Sequence, residues 1–516
     1  MRTFLWVLGV VCCFCVSVNC SGPSASCEDK VCSADQACKD GQCVSSCAEG
    51  ETICGGLCVD TKTNTNHCGA CGTFCATSVS GASVFEASSS AVSQCVVTDS
   101  AGSVYVAGSF RDSATFGAHA LKMTGGGGTG MFVAKLDSSG KWAWAVEAGG
   151  FPGTILGTHL SVDKSGNIYV SGYIGSGTVK FGSLSLEGGG QYDAFVAKLD
   201  SDGKWVWASH VTGPDYIEAL DQVIDDSGNV YVSGYFKKTA TFGTTTLTSA
   251  GGSDVFVAKL DSSGKWGWAV RAGGSGLDRG HGLAVSSSGS LYVVGDFSDK
   301  ATFGETTFTS AGMGDIFVAK LDNNGKWEWV TQASGKSLNF GKDIIIGTAG
   351  GLYVSGYYRT ETTFGDIQLK NAGNEGAFVA MINAKGKWEW AIQPDSKNNF
   401  RASTMIRDHV GHVYLFGFFT KDISFGETKL NVEPSAFYLV RISRTGKWLW
   451  ATQVSTSHME KARGLAVDDD LNIYATTSYS ESVRFGGKEW TSADKQRIVL
   501  VKLQQTTQSC SAGTCQ

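Results

Sequence analysis

Two adjacent columns of residues change from copy to copy in this sequence while their neighbours hardly change at all. The first reads Cys95, His159, Asp221, Gly282, Asp343, Thr404 and Gly464, in steps of 60 to 64 residues. The residue just before each of these reads Gln94, Thr158, Leu220, His281, Lys342, Ser403 and Arg463. His159, Asp221, His281, Lys342, Asp343 and Arg463 supply acids, bases and cations able to pair charges or hold a polar ligand, provided the fold gathers them in one place. Positions that repeat carry packing, and positions that diverge are free for recognition. These six are therefore the candidate ligand-binding residues.

Other constellations invite chemistry and carry less. Twelve of the 14 tryptophans fall in Trp-x-Trp pairs, from Trp142 and Trp144 to Trp448 and Trp450. Paired indoles suit sugar rings, yet a regular array of them is also what packing between repeats requires, and that second use is expected. The Asp-x-x-Gly turns at Asp137, Asp200, Asp261 and Asp322 lack the 12-residue loop ending in Glu of an EF-hand, so each Asp is expected to cap its own turn. A recurring strand lysine (Lys135, Lys198, Lys259, Lys320, Lys502) is expected to reach a turn carboxylate, with Arg441 and Met381 as its exceptions. His409-x2-His412 has no third ligand nearby, so no metal is expected. Nucleophile elbow, Walker loop, zinc-protease helix and dinucleotide fingerprint are all missing, so neither catalytic residues nor cofactors are assigned.

The elements that must position the two columns repeat with them. Phe-Gly recurs at Phe116, Phe181, Phe242, Phe303, Phe364, Phe425 and Phe485, and a tyrosine in a Val-Tyr-Val-like run marks the same frame seven times. Each unit holds four apolar, β-branched runs separated by polar turns that end in glycine, the signature of antiparallel hairpins. The period of about 61 residues exceeds that of WD40 or kelch units and leaves an extended loop after the second strand. The expected fold is all-β: a seven-bladed β-propeller of four-stranded antiparallel blades, with a parallel β-helix as the runner-up. Six units end in Gly-Lys-Trp-x-Trp and the seventh does not, whereas Ser83 to Ser88, ahead of unit one, matches that outer strand. Pairing this segment into blade seven would close the ring and hide its sheet edges. The two variable columns are expected at the entrance to each innermost strand, converging on one mouth of the central channel as a recognition site.

Val162-Asp-Lys-Ser-Gly-Asn-Ile-Tyr-Val-Ser-Gly172 and Asp254-Val-Phe-Val-Ala-Lys-Leu-Asp-Ser-Ser-Gly264 resemble the repeat of the bacterial cell-surface seven-bladed propeller family. The resemblance spans about four-fifths of the chain. It implies the propeller fold and a place on the cell surface, and it brings no shared catalytic motif.

The remaining residues fix organisation. Arg2 followed by the apolar run Phe4 to Val18 reads as an export signal over residues 1–20, shorter than a bilayer span. The alternative to cleavage and release is a lipid anchor on Cys20. Residues 21–76 hold ten cysteines, Cys27, Cys32, Cys38, Cys43, Cys47, Cys54, Cys58, Cys68, Cys71 and Cys75, with too few large apolar residues for a hydrophobic core, so these cysteines are expected to form disulfides. The segment Asn66 to Cys75 resembles Cys-rich stretches of myxobacterial surface and secreted proteins, which implies location rather than activity. Residues 77–82 are expected as a linker, 83–503 as the propeller and 504–516 as a tail with the pair Cys510 and Cys515. Net charge is −6 with no basic run, which excludes a nucleic-acid footprint, and no second apolar run offers a transmembrane span. Together these point to an exported binding or adhesion protein for an extracellular protein or glycan. The alternatives are a lectin-like protein and a secreted polysaccharide hydrolase or lyase.

Overall fold

Runs such as Val230–Phe236 and Asp254–Leu260 are largely apolar on both faces and become strands buried at all but one position, whereas the Trp-x-Trp runs alternate and become half-exposed outer strands. The computed structural model describes residues 91–507 apart from 124–128, 151–152, 348–349, 410, 457–463, 480, 486–487 and 492–496. It also describes short segments at 37–39, 42–44, 52–54, 57–59, 76–87, 510–511 and 514–515. No α-helix occurs among the described residues. The chain falls into two compact units, Gly81–Gln504 and Met1–Ser80 with Gln505–Gln516.

The larger unit is a seven-bladed β-propeller of antiparallel four-stranded blades. Blade three is typical: Ile217–Ile224 lies innermost, followed by Val230–Phe236, Asp254–Leu260 and Trp266–Gly274. Each innermost strand touches the next one around the ring, and Gly464–Val467 of blade seven touches Ala91–Thr98 of blade one. The seventh blade takes its outer strand from Ala76–Ala87, beside Arg497–Thr507. Residues 77–82 thus belong to a strand where a linker was expected.

The extended loop of each unit is itself structured. Its Phe-Gly segment forms a hairpin, such as Lys300–Phe303 with Thr306–Thr309, and from blade two onward this hairpin leans on the preceding blade. Gly273 of blade three pairs with Thr302 of the blade-four hairpin, and Ala333 of blade four pairs with Phe364 of the next. Isolated bridges at Gly149–Lys180, Thr212–Thr241 and Asp395–Ser424 do the same elsewhere.

The core lies between blades. Val133 and Met131 of blade one pack with Ile155, Leu160 and Val170 of blade two, and Ile498 and Leu500 of blade seven pack with Phe132 and Val106 of blade one. Each such side chain contributes about 1.5–3 kcal/mol. The twelve paired tryptophans join this packing. The first of each pair stacks edge-on against the Phe of its own Phe-Gly segment, as Trp266 does on Phe242 at 5.2 Å, and Nε1 of Trp205, Trp266 and Trp388 donates to the preceding blade, that of Trp266 to the His210 carbonyl at 3.3 Å. The second reaches forward: Trp207 Nε1 donates to the Ser262 carbonyl at 3.1 Å, and its ring covers Gly264. Gly264 sits at φ +83°, and a Cβ there would come within 2.6 Å of the indole.

In the smaller unit, Gln42–Val44, Ala37–Lys39, Leu57–Val59 and Thr52–Cys54 form one sheet in that order. Its backbone register sets Cys38 opposite Cys43, and that of the tail hairpin sets Cys510 opposite Cys515. The export segment, Cys20, Cys27, Cys32, Cys47, Cys68, Cys71, Cys75 and Arg463 lie outside the described residues, as do the side chains of Cys38, Cys43, Cys54, Cys58, Cys510 and Cys515.

Candidate functional site

The two variable columns fall part-way along the innermost strands, not at their entrance. Every described inner strand from blade one to blade six shifts register there by one residue, between Ser93 and Cys95, Gly157 and His159, Ala219 and Asp221, Gly280 and Gly282, Gly341 and Asp343, and Ala402 and Thr404. The residue left over at each β-bulge is therefore Gln94, Thr158, Leu220, His281, Lys342 or Ser403, and a bulge re-aims such a residue out of the ladder. The glycine of Tyr-Val-x-Gly makes room for it. At Gly234 a Cβ would sit 1.9 Å from the Glu218 carbonyl oxygen.

Asp221 and Asp343 are bound into the wall. Asp221 Oδ1 accepts from its neighbour Gln222 N at 2.7 Å, and Oδ2 accepts from Leu283 N of blade four at 2.6 Å. Asp343 repeats this, accepting from Ile344 N at 2.8 Å and, across the blade junction, from Met405 N at 2.7 Å and the Thr404 hydroxyl at 3.1 Å. His159 of blade two places Nδ1 2.9 Å from Asp221 Oδ1. Burial works against charge on this ring, but the Asp221 carboxylate, helped by Asp343, outweighs it and raises the imidazole above its usual range. Asp343 is pushed up to about 6, first by burial and then by the Asp221 charge, and its hydrogen bonds from Met405 N and Thr404 only partly offset this.

His281 and Lys342 belong to a different neighbourhood, at the end of the channel where the innermost strands begin. One register position there pairs Val92 with Ser109, Leu156 with Tyr173, Glu218 with Tyr235, Arg279 with Asp296, Phe340 with Tyr357, and Arg401 with Phe418. No two pairs are alike. From blade three to blade six their side chains interlock. Tyr235 donates to Glu218 Oε1 at 2.6 Å, and Arg279 lies over the Tyr235 ring at 5.6 Å. His281 Nε2 is 2.5 Å from Asp296 Oδ1, and Lys342 Nζ is 3.3 Å from His281 Nδ1 and 5.6 Å above Phe340. Phe340 stacks on Tyr357 at 4.8 Å, Arg401 covers Tyr357 at 5.0 Å, and Arg401 and Arg359 share Glu375. Burial and the Lys342 charge lower the His281 pKa despite Asp296, so the ring is neutral at pH 7.

Sequence reasoning missed Tyr235, Arg279, Asp296, Phe340, Tyr357, Arg401 and Glu375. The signal was available in the strand pairing: the residue three before each first-column position and its cross-strand partner diverge just as strongly. Other expectations resolve into scaffold. The turn aspartates cap their own loops, as Asp137 Oδ1 does for Ser139 N and Lys141 N, each at 2.9 Å. The strand lysines lie over the repeated tyrosines rather than against turn carboxylates: Lys198 over Tyr169 at 4.8 Å, Lys259 over Tyr231 at 5.0 Å and Lys502 over Tyr474 at 5.5 Å. A short strand-to-strand reach favours the ring face over a distant turn. Lys320 instead pairs with Glu328 at 2.7 Å. His412 is buried between Asp408 and Arg441. No cluster of three metal-ligating residues occurs among the described residues.

This geometry defines a propeller with one chemically uneven channel end. No family model matches the chain. It is 20% identical over 486 residues to an uncharacterised WD repeat-containing protein of Acanthamoeba polyphaga mimivirus, covering 75% of this chain and 35% of that one. It is 28% identical over 212 residues to the regulatory protein FlaEY of Caulobacter vibrioides, covering 38% of this chain and 22% of that one. The chain thus spans about a third or less of the length of these curated relatives. Among solved structures, Kuenenia stuttgartiensis hydrazine synthase matches at 11% identity and a TM-score of 0.43, covering 78% of this chain and 96% of that one. A PL25 ulvan lyase matches at 14% and 0.37, covering 64% and 79%.

Proposed function

We propose that this chain is an exported, non-enzymatic recognition protein that binds an extracellular protein or glycan at the channel end where the innermost strands begin. One observation carries the reading: the register position that pairs Glu218 with Tyr235 differs in each blade from one to six, on a scaffold whose packing residues repeat. Export is supported by the apolar segment Phe4 to Val18, the clustered cysteines and the resemblance to cell-surface propeller repeats. Mass spectrometry of the mature N-terminus tests it and separates cleavage from a lipid on Cys20. Binding is tested by screening the full chain against immobilised extracellular glycans and proteins, then repeating with Tyr357→Ala combined with Arg401→Ala. The reading expects that variant to lose the captured ligand, and retention at full affinity places the site elsewhere. A polysaccharide hydrolase or lyase has one feature in its favour, the neutral His281 held on Asp296. Depolymerisation by the native chain that His281→Ala abolishes would support that reading instead.

A further inference from the structure

The uneven channel end continues from blade three onto blade two as a row of tyrosines. Tyr173 contacts Tyr192 at 4.5 Å between ring centres, and Tyr192 contacts Tyr216 at 5.2 Å in an edge-on arrangement. Tyr192 and Tyr216 are also joined by a backbone bridge at the blade junction, and Lys237 lies over Tyr216 at 5.1 Å. All three tyrosines are half-buried. They stand at the same end as Tyr235 and Arg279, since each lies where an inner or third strand begins or a second strand ends.

The charges along this arc are not balanced evenly. Its carboxylates are engaged: Glu218 by the Tyr235 hydroxyl, Asp296 by His281, and Glu375 by Arg359 and Arg401. Arg279 differs. Among the described residues its guanidinium makes no ion pair and no side-chain hydrogen bond, and it rests on the face of Tyr235 with its donors unspent. A half-exposed guanidinium over an aromatic ring, with the Lys342 ammonium against His281 on the same stretch of the channel end, presents a fork that matches a carboxylate. It does so on a protein whose net charge is −6.

We propose that this arc binds a uronate-bearing polysaccharide, with sugar rings stacked along Tyr216, Tyr192 and Tyr173 and a carboxylate received by Arg279. The proposal rests on the channel-end reading above and names its ligand class. The tyrosine row offers half-exposed aromatic rings against which sugar C–H groups can pack, whereas an acidic peptide would draw on Arg279 and Lys342 without needing the row.

Calorimetry on the full chain tests this with oligomers of galacturonate, of mannuronate and guluronate, and of a glucuronate-containing glycan. The same oligomers after carboxyl reduction, and oligoglutamate, serve as comparisons. At least one uronate series is expected to bind. Carboxyl reduction and Arg279→Gln should each weaken it tenfold or more, and Tyr192→Ala should weaken it similarly while leaving the thermal melt unchanged. Equal binding of reduced and acidic oligomers, tighter binding of oligoglutamate that ignores Tyr192→Ala, or no binding of any uronate each overturns the proposal. If a different ligand is then lost on Tyr357→Ala with Arg401→Ala, the channel-end reading stands without it. If a uronate binds and neither Arg279→Gln, Tyr192→Ala nor that double variant alters its affinity, both fall.

Discussion

Asp221 of blade three accepts the Leu283 amide of blade four at 2.6 Å, and in doing so spends on the scaffold a carboxylate whose type and spacing suggested recognition. Its other oxygen serves Gln222 N and His159. Removing the acceptor leaves two amides of the channel wall without a partner, each at a cost of about 1–3 kcal/mol. Asp221→Ala should therefore lower the urea midpoint clearly, while affinity at the channel end stays within twofold of the native chain. A fall in affinity with unchanged stability would return Asp221 to the binding site.

Asp343 makes the wall sensitive to pH. Its folded carboxyl titrates at about 6, above the unfolded value of 3.8, so the folded state holds the proton more tightly. The contribution favours folding below about pH 4 and is lost as pH rises through 6, a difference on the order of 2–3 kcal/mol. Asp343→Asn should remove this part of the profile. Urea titrations of both proteins at pH 4, 5, 6 and 7 check it, and parallel profiles would show that Asp343 does not titrate differently on folding.

The bulge of the inner strand in blades one to six depends on a missing side chain across from it. Gly234→Ala would drive a methyl group against the Glu218 carbonyl, at 1.9 Å. The bulge must then flatten or the second strand must move, with an expected loss of about 2–4 kcal/mol. Gly267→Ala, where the nearest heavy atom is 3.6 Å away, is the control and should change the midpoint little.

These glycines also mark how far the sequence could be read. Blade number, strand order and the tryptophan contacts were legible because every blade packs against an identical neighbour and so demands identical residues at Phe242, Trp266 or Tyr231. The bulge was written only in Gly108, Gly172, Gly234, Gly295, Gly356 and Gly417, a column that looks like part of a turn until the strands are paired. The cluster at the channel end was harder. Arg279, Tyr235 and Phe340 come from three blades and obey no period, and only the register of paired strands brings them together. Lys198 was assigned a carboxylate because Tyr169 lies on another strand, close in space and far in sequence.

Trp207 carries two blade contacts at once, the hydrogen bond to Ser262 and the cover over Gly264. Trp207→Ala should cost about 2–3 kcal/mol, below the range for a fully buried indole because this one is partly exposed. Trp207→Phe should recover roughly half. Thermal melts of the two variants measure both steps, and an unchanged melt for the alanine variant would assign the indole to binding.

Deleting residues 82–90 removes the second half of the outer strand of blade seven, Ala76–Ala87, and exposes the edge of Arg497–Thr507. The truncated chain should aggregate or melt far below the native one, as light scattering during a thermal ramp would show. Native-like melting of this deletion would mean that the ring closes without that strand.

The seam of the ring therefore lies inside a blade rather than between two. A gain or loss of one whole repeat anywhere between the ends would leave the same first strand available to the same last sheet. Curvature, not the locking device, sets the number of blades, and tandem duplication could resize this ring without reinventing its latch.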